Sequence, residues 1–217
     1  MLSGFGASGV GEWAAIGASY LLGALPFGLI LGHLVGGLDI RQVGSGNIGA
    51  TNVGRALGRP FALLAFLLDF AKGWGPAALI GPALASTPDR ATALAVYCGA
   101  AAACGHCWPV YLKFRGGKGV ATTSGAMVGL DPLIFLGGGL VWLATLALSR
   151  MVGLASLVMG LAFPVLAWIR YERGDGASEV VWGSAALCLL IFLRHRANMK
   201  RMLAGKEPRI GASKDRV

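Results

Sequence analysis

The stretch "FALLAFLLDFAKGWGPAALIGPAL", residues 61–84, is built mainly from Leu, Ala, Phe and Gly, and its charged residues are Asp69 and Lys72. About 20 consecutive apolar residues are enough for a helix to cross the hydrocarbon core of a bilayer. Small Ala and Gly side chains allow neighbouring helices to approach closely in lipid. The segment therefore predicts a membrane-spanning helix that packs against other helices.

Segments of the same kind recur along the chain, at residues 13–36, 91–111, 133–148, 152–169 and 180–193. Of the 217 residues, 55% are hydrophobic and only 13% are charged, whereas about 25% of a soluble domain is charged. The first segment is too long for the apolar core of a cleaved signal peptide, and no Lys or Arg precedes Arg41. We expect an all-α, polytopic membrane protein in which residues 1–217 form a single integral-membrane domain.

Three basic stretches indicate orientation, because the cytoplasmic loops of membrane proteins retain Lys and Arg. They are residues 39–60, residues 113–119 and the tail from Arg194 onward. If all three face the cytoplasm, an even number of crossings separates each pair, and the short segment 120–130 must then cross as well. The sequence thus predicts seven transmembrane helices, one of them short, with the N-terminus outside and the C-terminus cytoplasmic. The alternative is six crossings, with 120–130 as a re-entrant segment.

The formal charge of +9 lies largely in these loops, so it indicates orientation and not a nucleic-acid partner. Cys104 and Cys107 form a C-x-x-C pair with His106 between them, a spacing found in zinc sites where a second ligand pair follows. No such pair follows here, and small buried cysteines are common in apolar segments. We expect neither a metal ion nor another cofactor.

The stretch "GSGNIGATNVGR", residues 44–55, contains the G-x-G-x-x-G pattern of dinucleotide-binding folds. That fold requires a strand before the glycines and a βαβ unit around them, whereas this stretch lies between two membrane segments. A glycine-rich loop that leads into a helix still binds anions in any fold, because it exposes backbone N–H groups. The candidate phosphate ligands here are Ser45, Gly46, Asn47, Thr51, Asn52 and Arg55.

A second glycine loop, "KFRGGKGVATT", places Lys118 among Gly116, Gly117 and Gly119. It is not a Walker A sequence, because Gly119 and not Ser or Thr follows the lysine. The alternative interpretation of this loop alone is a basic turn that binds lipid headgroups. A third basic stretch, "HRANMKRMLAGKEPRIG", adds His195, Asn198 and Lys206 on the same predicted membrane face.

Asp69 and Lys72 stand three residues apart within a predicted membrane helix, so each can neutralise the other. Ionisable groups inside a membrane segment are candidates for function, but we favour a structural ion pair here. His33 and His106 lie near helix ends, where packing or hydrogen bonding is expected. The sequence has no Ser-His-Asp or H-E-x-x-H pattern, which argues against a protein nucleophile or a catalytic metal.

Taken together, "SYLLGALPFGLI", "GSGNIGATNVGRALG", "LDFAKG", "GHCWPVYLKFRGGKGVAT" and "HRANMKRMLAGKEPRIG" resemble the successive motifs of the bacterial acyl-phosphate:glycerol-3-phosphate acyltransferase family, often called PlsY. The match covers nearly the whole chain, in order. The third motif of the family reads His-Arg-Glu-Asn, whereas Ala197 replaces the acidic residue here. The H-x-x-x-x-D pattern of other acyltransferases is missing, since His33 and Asp39 are one residue too far apart.

The resemblance implies transfer of an acyl group from acyl phosphate to the 1-hydroxyl of glycerol 3-phosphate, the first step of bacterial phospholipid synthesis. It implies a multi-pass protein of the bacterial inner membrane, in contact with membrane lipids, whose active site faces the cytoplasm. Ser45, Arg55, Lys118 and His195 would be catalytic. The proton acceptor stays open between His195 and the leaving phosphate, and the contact with the reacting phosphate stays open between Lys113 and Lys118. The rival interpretation is a transporter of a phosphorylated solute.

Overall fold

The structure, a computed structural model, describes residues 9–211, and within that range it contains helices and no β-strand. The prediction of an all-α protein is confirmed. The α-helices in chain order are α1 (Val10–Gly23), α2 (Phe27–Gly36), α3 (Ala50–Leu57), α4 (Arg59–Gly75), α5 (Gly81–Leu84), α6 (Ala91–Cys107), α7 (Val120–Leu130), α8 (Pro132–Ser149), α9 (Val152–Glu172), α10 (Ser178–Arg194) and α11 (Arg196–Leu203).

The described part of the chain contains five helical segments long and apolar enough to cross a membrane. They are Val10–Gly36, Arg59–Leu84, Pro88–Leu112, Pro132–Ser149 and Val152–Glu172, and α10 with α11 forms a sixth if that pair, bent by 59°, is one span. These coincide with the six long predicted segments. The seventh, α7, is a helix of 11 residues, about 16 Å long, so the number of crossings stays a prediction.

Two of these spans are interrupted where the sequence pattern shows one continuous apolar run. The first breaks between α1 and α2 at Pro26, which ends the regular backbone hydrogen bonding. The second passes from α4 through a π-helical turn, Pro76–Ile80, into α5. Proline at the start of that turn again removes one backbone donor. Apolar periodicity does not report such breaks, because the residues on both sides are equally hydrophobic.

The chain divides between Asp131 and Pro132 into two compact units, described separately below. In the first unit, helices contact each other through glycine. A β-carbon on Gly23 of α1 would lie 2.1 Å from the backbone oxygen of Ala102 in α6, and one on Gly105 would lie 2.2 Å from that of Tyr20. Glycine therefore sets the distance between these two helices, as expected for membrane helices.

Helix α7 packs along α4 in the same way and runs parallel to it. Its Thr122 oxygen would lie 1.9 Å from a β-carbon on Gly73, while a β-carbon on its Gly125 would lie 2.0 Å from the Phe70 oxygen. Further along, a β-carbon on Gly129 would meet Ala77 and Ala78. The helix thus starts beside the middle of the Arg59–Leu84 span and follows it towards Leu84.

The two ends of the first unit differ in character. At one end, Glu12 at the start of α1 pairs with Arg90 at 2.6 Å and also accepts hydrogen bonds from the backbone N–H and the hydroxyl of Ser86. Helix α6 starts beside this cluster and ends at Cys107, about 25 Å away. The two glycine loops therefore lie towards the other end of the unit.

The second unit contains α8, α9, α10 and α11. Gly138 of α8 accommodates the ring of Phe163, the largest fully buried side chain of the unit. The sequence suggests a loosely ordered tail after Ala204, but the segment up to Ile210 folds back on the unit. The Lys206 N–H donates to the Arg201 oxygen at 2.7 Å, and the Ile210 N–H donates to the Arg150 oxygen at 2.8 Å.

Candidate active site

The first glycine loop is held from inside by one buried amide side chain. Asn52 of α3 is 1% exposed, and its Oδ1 accepts the backbone N–H of Ser45 at 2.9 Å. Its Nδ2 donates to the oxygens of Ile40 at 2.8 Å and Val43 at 3.0 Å. Both N–H groups of the amide are thus engaged by the protein. The sequence suggests Asn52 as a substrate ligand, whereas its bonds assign it to holding the loop.

Glycines on both sides of Ser45 give this loop its shape. Gly44 and Gly46 have φ of +58° and +67°, in the left-handed region that glycine adopts without strain. The exposed Ser45 hydroxyl therefore stands at the tip of a tight turn. Asn47 closes the turn locally, because its Oδ1 accepts the N–H of Gly49 at 2.9 Å. Gly49 is the N-cap of α3, which places exposed Thr51 in the first turn of that helix.

A short 3-10 helix, Ile40–Gln42, leads into this loop and is capped by Asp39. Arg41 donates to Asp39 from its backbone N–H and from its guanidinium, and the closest ion-pair distance is 2.6 Å. These bonds lower the pKa of the Asp39 carboxyl from 3.8 to about 2. Asp39 therefore stays ionised at neutral pH and neutralises Arg41, so Arg41 is not a free cation of the loop.

Arg55 is different, because its guanidinium is exposed and makes no ion pair or hydrogen bond with any part of residues 9–211. It belongs to the last turn of α3, and its stem passes over the loop. A β-carbon on Gly44 would lie 3.4 Å from Arg55 Cδ. An uncompensated guanidinium beside a loop with exposed hydroxyls can bind a phosphate through two N–H groups.

The second glycine loop is folded tightly against the end of α6. The Gly117 N–H donates to the His106 oxygen at 3.0 Å. A β-carbon on Gly117 would lie 2.0 Å from His106 Nε2, and one on Gly116 would lie 2.2 Å from the His106 oxygen. Gly119, with φ of +80°, is the N-cap of α7. Half-buried Lys118 is thus held between a glycine pair on His106 and a helix N-terminus.

Lys113 differs from Lys118 in its surroundings. It is exposed and has φ of +51°, and it is followed by Phe114 with φ of +62°. These two residues form the exposed corner before the glycines. Thr122 and Thr123, by contrast, are fully buried beneath the loop and their hydroxyls make no hydrogen bond with the described residues. The loop therefore presents Lys118 in a packed setting and Lys113 in an open one.

The two glycine loops rest on one apolar cluster of the first unit. Ile40 and Ile48 flank the first loop and are buried with Leu29 and Val53, and Leu112, which precedes the second loop, packs against the same cluster. The loops that carry Arg55 and Lys118 therefore pack against the same apolar cluster. That both loops lie on the cytoplasmic face of the membrane stays a prediction.

In the second unit, His195 occupies the bend between α10 and α11 and is 2% exposed. Its Nδ1 lies 2.8 Å from the Ile191 oxygen, four residues earlier. Since a carbonyl only accepts, this hydrogen bond requires a proton on Nδ1. The neutral ring then carries its lone pair on Nε2.

Asn198 lies one turn further, 4% exposed, and its Nδ2 donates to Oε1 of Glu207 at 2.5 Å. Glu207 in turn accepts from Nε of Arg201 at 2.8 Å. A β-carbon on Gly153 would lie 2.7 Å from both Asn198 Nδ2 and Glu207 Oε1. Glu207 is a residue that the sequence pattern did not single out. The sequence held one indication of it: Ala197 stands where the family motif has a glutamate. Glu207, from the folded-back tail, supplies a buried carboxylate beside Asn198.

Lys206, also predicted as a ligand, is exposed in that tail. The first glycine loop and the helix α3 that follows it carry Ser45, Gly46, Asn47, Thr51, Asn52 and Arg55. The second glycine loop carries Gly116, Gly117, Lys118 and Gly119. His195 and Asn198 are neighbours in the second unit. Among residues 9–211, no cluster of His, Cys, Asp or Glu side chains could hold a metal ion, and none of the four cysteines forms a disulfide.

These features define an integral membrane protein of α-helices with two glycine-rich, cationic loops suited to phosphate groups. The chain belongs to the glycerol-3-phosphate acyltransferase family, whose model matches residues 13–205. It is 46% identical to the glycerol-3-phosphate acyltransferase of Dinoroseobacter shibae, over 91% of this chain and 92% of that one, and 40% identical to that of Prochlorococcus marinus, over 90% and 93%.

Solved structures show the same fold. The chain resembles the crystal structure of PlsY, an integral membrane glycerol 3-phosphate acyltransferase, in its glycerol 3-phosphate form, with a TM-score of 0.82 and 36% identity over 92% of this chain and 96% of that one. The lysophosphatidic acid form gives a TM-score of 0.79 with 35% identity, over 92% and 95%. The resemblance stated from the sequence motifs is confirmed.

Proposed function

We propose that the protein transfers an acyl group from acyl phosphate to the 1-hydroxyl of glycerol 3-phosphate, giving 1-acyl-glycerol 3-phosphate (lysophosphatidic acid) and inorganic phosphate. One observation supports this proposal above the others: the two glycine loops pack on the same apolar cluster. The first loop, at Ser45, lies beside Arg55, whose charge is not neutralised, and the second carries Lys118. Both substrates carry a phosphate, which the cationic loops can bind. One of them also carries an apolar tail, which a site at a membrane surface can accommodate in the bilayer. The similar PlsY structures hold glycerol 3-phosphate and lysophosphatidic acid.

Acyl phosphate is a mixed anhydride, so its leaving group departs easily and no covalent enzyme intermediate is needed. Catalysis then consists mainly of orientation and of stabilising charge on the carbonyl and phosphate oxygens. Arg55 and Lys118 supply that charge, and the side chains of Ser45, Asn47 and Thr51 with the backbone of Gly119 supply neutral donors. Gly46, Gly116 and Gly117 contribute through the shape of the two loops, because the Gly46 N–H already donates to the Val43 oxygen and the Gly117 N–H to the His106 oxygen. Asn52 contributes through the position of Ser45, because its own N–H groups are engaged.

His195, Asn198 and Lys206 are assigned to glycerol 3-phosphate. The 1-hydroxyl attacks the acyl carbon, the bond from that carbon to the phosphate oxygen breaks, and the hydroxyl proton leaves to a base. The departing phosphate itself is the favoured acceptor, in a substrate-assisted step. His195 is the alternative, since the lone pair on its Nε2 could also accept a proton.

We place the protein in the bacterial inner membrane, among its lipids, as a single functional domain. It crosses the membrane seven times, with its N-terminus outside and its active site and C-terminus on the cytoplasmic side. The direction of α7 supports a short seventh crossing, because α7 runs parallel to α4 towards the Glu12–Arg90 end. The basic glycine loops support the cytoplasmic assignment.

Phosphate release by the purified protein tests this function. In detergent or a lipidic phase, acyl phosphate and glycerol 3-phosphate together should yield inorganic phosphate and 1-acyl-glycerol 3-phosphate in equal amounts. Acyl phosphate alone serves as the control for hydrolysis. A protein that moves glycerol 3-phosphate across vesicles and releases no phosphate would instead be the transporter considered above.

A further inference from the structure

A buried ionic cluster of the first unit lies directly behind the second glycine loop. Asp69 and Lys72 of α4 and His106 of α6 have side chains only 3–4% exposed. Lys72 Nζ lies 2.8 Å from Asp69 Oδ1, and His106 Nδ1 lies 3.5 Å from the same oxygen. Buried charges cost several kcal/mol to desolvate, so such a cluster is weak evidence for stability. Its position gives it another role.

Lys72 has a second contact that ties it to a different part of the unit. Its Nζ donates to the Leu25 oxygen at 2.8 Å and lies 5.6 Å from the centre of the Phe27 ring. Leu25 stands in the break between α1 and α2, where regular helical hydrogen bonding is interrupted. Lys72 therefore fixes that break and at the same time neutralises Asp69.

Asp69 is connected to the glycine loop through His106. One ring nitrogen of His106 faces Asp69, and the other, Nε2, lies where a β-carbon on Gly117 would approach to 2.0 Å. The His106 backbone oxygen accepts the Gly117 N–H. The orientation of this one imidazole thus decides where the residue before Lys118 can lie.

The far side of the loop is fixed by the same helix that carries Asp69. Thr122 and Gly125 of α7 contact α4 at Gly73 and Phe70, at distances that only glycine permits. Lys118 therefore lies between two attachments, His106 on one side and the start of α7 on the other, and both attachments depend on the turn of α4 from Asp69 to Gly73.

We propose that Asp69 is a positioning residue for catalysis: through His106 it sets the place of Gly116 and Gly117, and so the place of Lys118. This inference rests on the role proposed for Lys118 above. It replaces the interpretation of Asp69 and Lys72 as only a structural ion pair. A displacement of about 1 Å at a reacting group lowers a rate by up to about a hundredfold, so the expected effect is on kcat.

Kinetics of phosphate release test the inference with a matched control. Asp69→Asn keeps the size of the side chain and removes its charge, and we expect kcat to fall by about tenfold to a hundredfold. Glu12→Gln removes the charge of another carboxylate, 3% exposed and paired with an arginine, at the opposite end of α6. It should lower the thermal midpoint of the purified protein but leave kcat within about twofold.

A double-mutant cycle separates positioning from general destabilisation. If Asp69 acts through Lys118, then Asp69→Asn should change the residual kcat of Lys118→Ala by less than about threefold. Gly117→Ala, which displaces His106 from the loop side, should lower kcat like Asp69→Asn and serves if that variant folds poorly. Three results would overturn the inference. Asp69→Asn could lower kcat by the same factor in the wild type and in Lys118→Ala, it could leave kcat unchanged, or Glu12→Gln could lower kcat as much as Asp69→Asn does. Lys118→Ala alone reports on the proposed role of Lys118.

Discussion

The backbone N–H of Ser45 donates to Oδ1 of Asn52 over 2.9 Å, so the tip of the first glycine loop is fixed by a side chain seven residues further along the chain. The same amide donates to the oxygens of Ile40 and Val43. One buried residue thus joins the 3-10 helix before the loop, the tip of the loop and the helix after it. The position of the Ser45 hydroxyl therefore depends on Asn52, whose own N–H groups are engaged within the protein.

Replacing Asn52 should therefore affect both stability and rate. Asn52→Ala removes three hydrogen bonds, each with a net contribution of about 0.5–1.5 kcal/mol. The Ile40 and Val43 oxygens keep the N–H groups of Val43 and Gly46 as donors, whereas the Ser45 N–H loses its acceptor. We expect a lower thermal midpoint and a reduced kcat for phosphate release. Gln42→Ala is the control, because Gln42 is exposed in the adjacent 3-10 helix. In a Ser45→Ala background the kcat loss from Asn52→Ala should shrink, and full additivity would contradict the assignment.

Arg55 should contribute to the rate and little to stability, because it is exposed and makes no ion pair with residues 9–211. We expect Arg55→Ala to lower kcat by about a hundredfold to a thousandfold, the usual cost of removing one donor to a transition-state oxyanion. Arg55→Lys should recover only part of this, since an ammonium cannot bind a phosphate through two fixed N–H groups.

Arg59→Ala provides the comparison for Arg55. Arg59 is also exposed, but it lies beyond Gly58 and begins the next helix, α4. Steady-state rates of both variants at saturating substrates decide the question. Equal losses in the two variants would indicate a general effect of surface charge, and the role of Arg55 would have to be abandoned.

Gly73 should matter for stability through the contact between α4 and α7. A β-carbon there would lie 1.9 Å from the Thr122 oxygen, and a backbone oxygen cannot rotate away. Overpacking of this kind costs about 1–3 kcal/mol, so Gly73→Ala should lower the thermal midpoint in detergent. Gly75→Ala, in the same helix with no atom within 4 Å of the added carbon, should leave the midpoint unchanged or raise it. A midpoint for Gly73→Ala equal to that of the wild type would exclude the close contact.

The sequence predicted the long membrane segments and both glycine loops, because apolar length and clusters of Gly with Lys or Arg are local properties of the chain. It could not assign Asn52 to the loop interior, since three backbone groups meet that side chain only after α3 folds back. Glu207 was missed for the same reason. Its carboxylate reaches Asn198 through a reversal of the tail that no local pattern specifies.

His195 should act mainly on the binding of glycerol 3-phosphate if the leaving phosphate accepts the proton. Its Nδ1 is engaged by the Ile191 oxygen, so Nε2 can accept a hydrogen bond from the substrate hydroxyl. We expect His195→Ala to raise the KM for glycerol 3-phosphate while kcat stays within about tenfold. The control is His33→Ala, because His33 makes the same hydrogen bond to a carbonyl four residues earlier, Leu29, at 3.0 Å. His33→Ala should leave kcat and the KM for glycerol 3-phosphate unchanged. If His195→Ala instead lowers kcat several-thousandfold with KM unchanged, His195 is the general base, because a group that only binds the ground state does not change kcat alone.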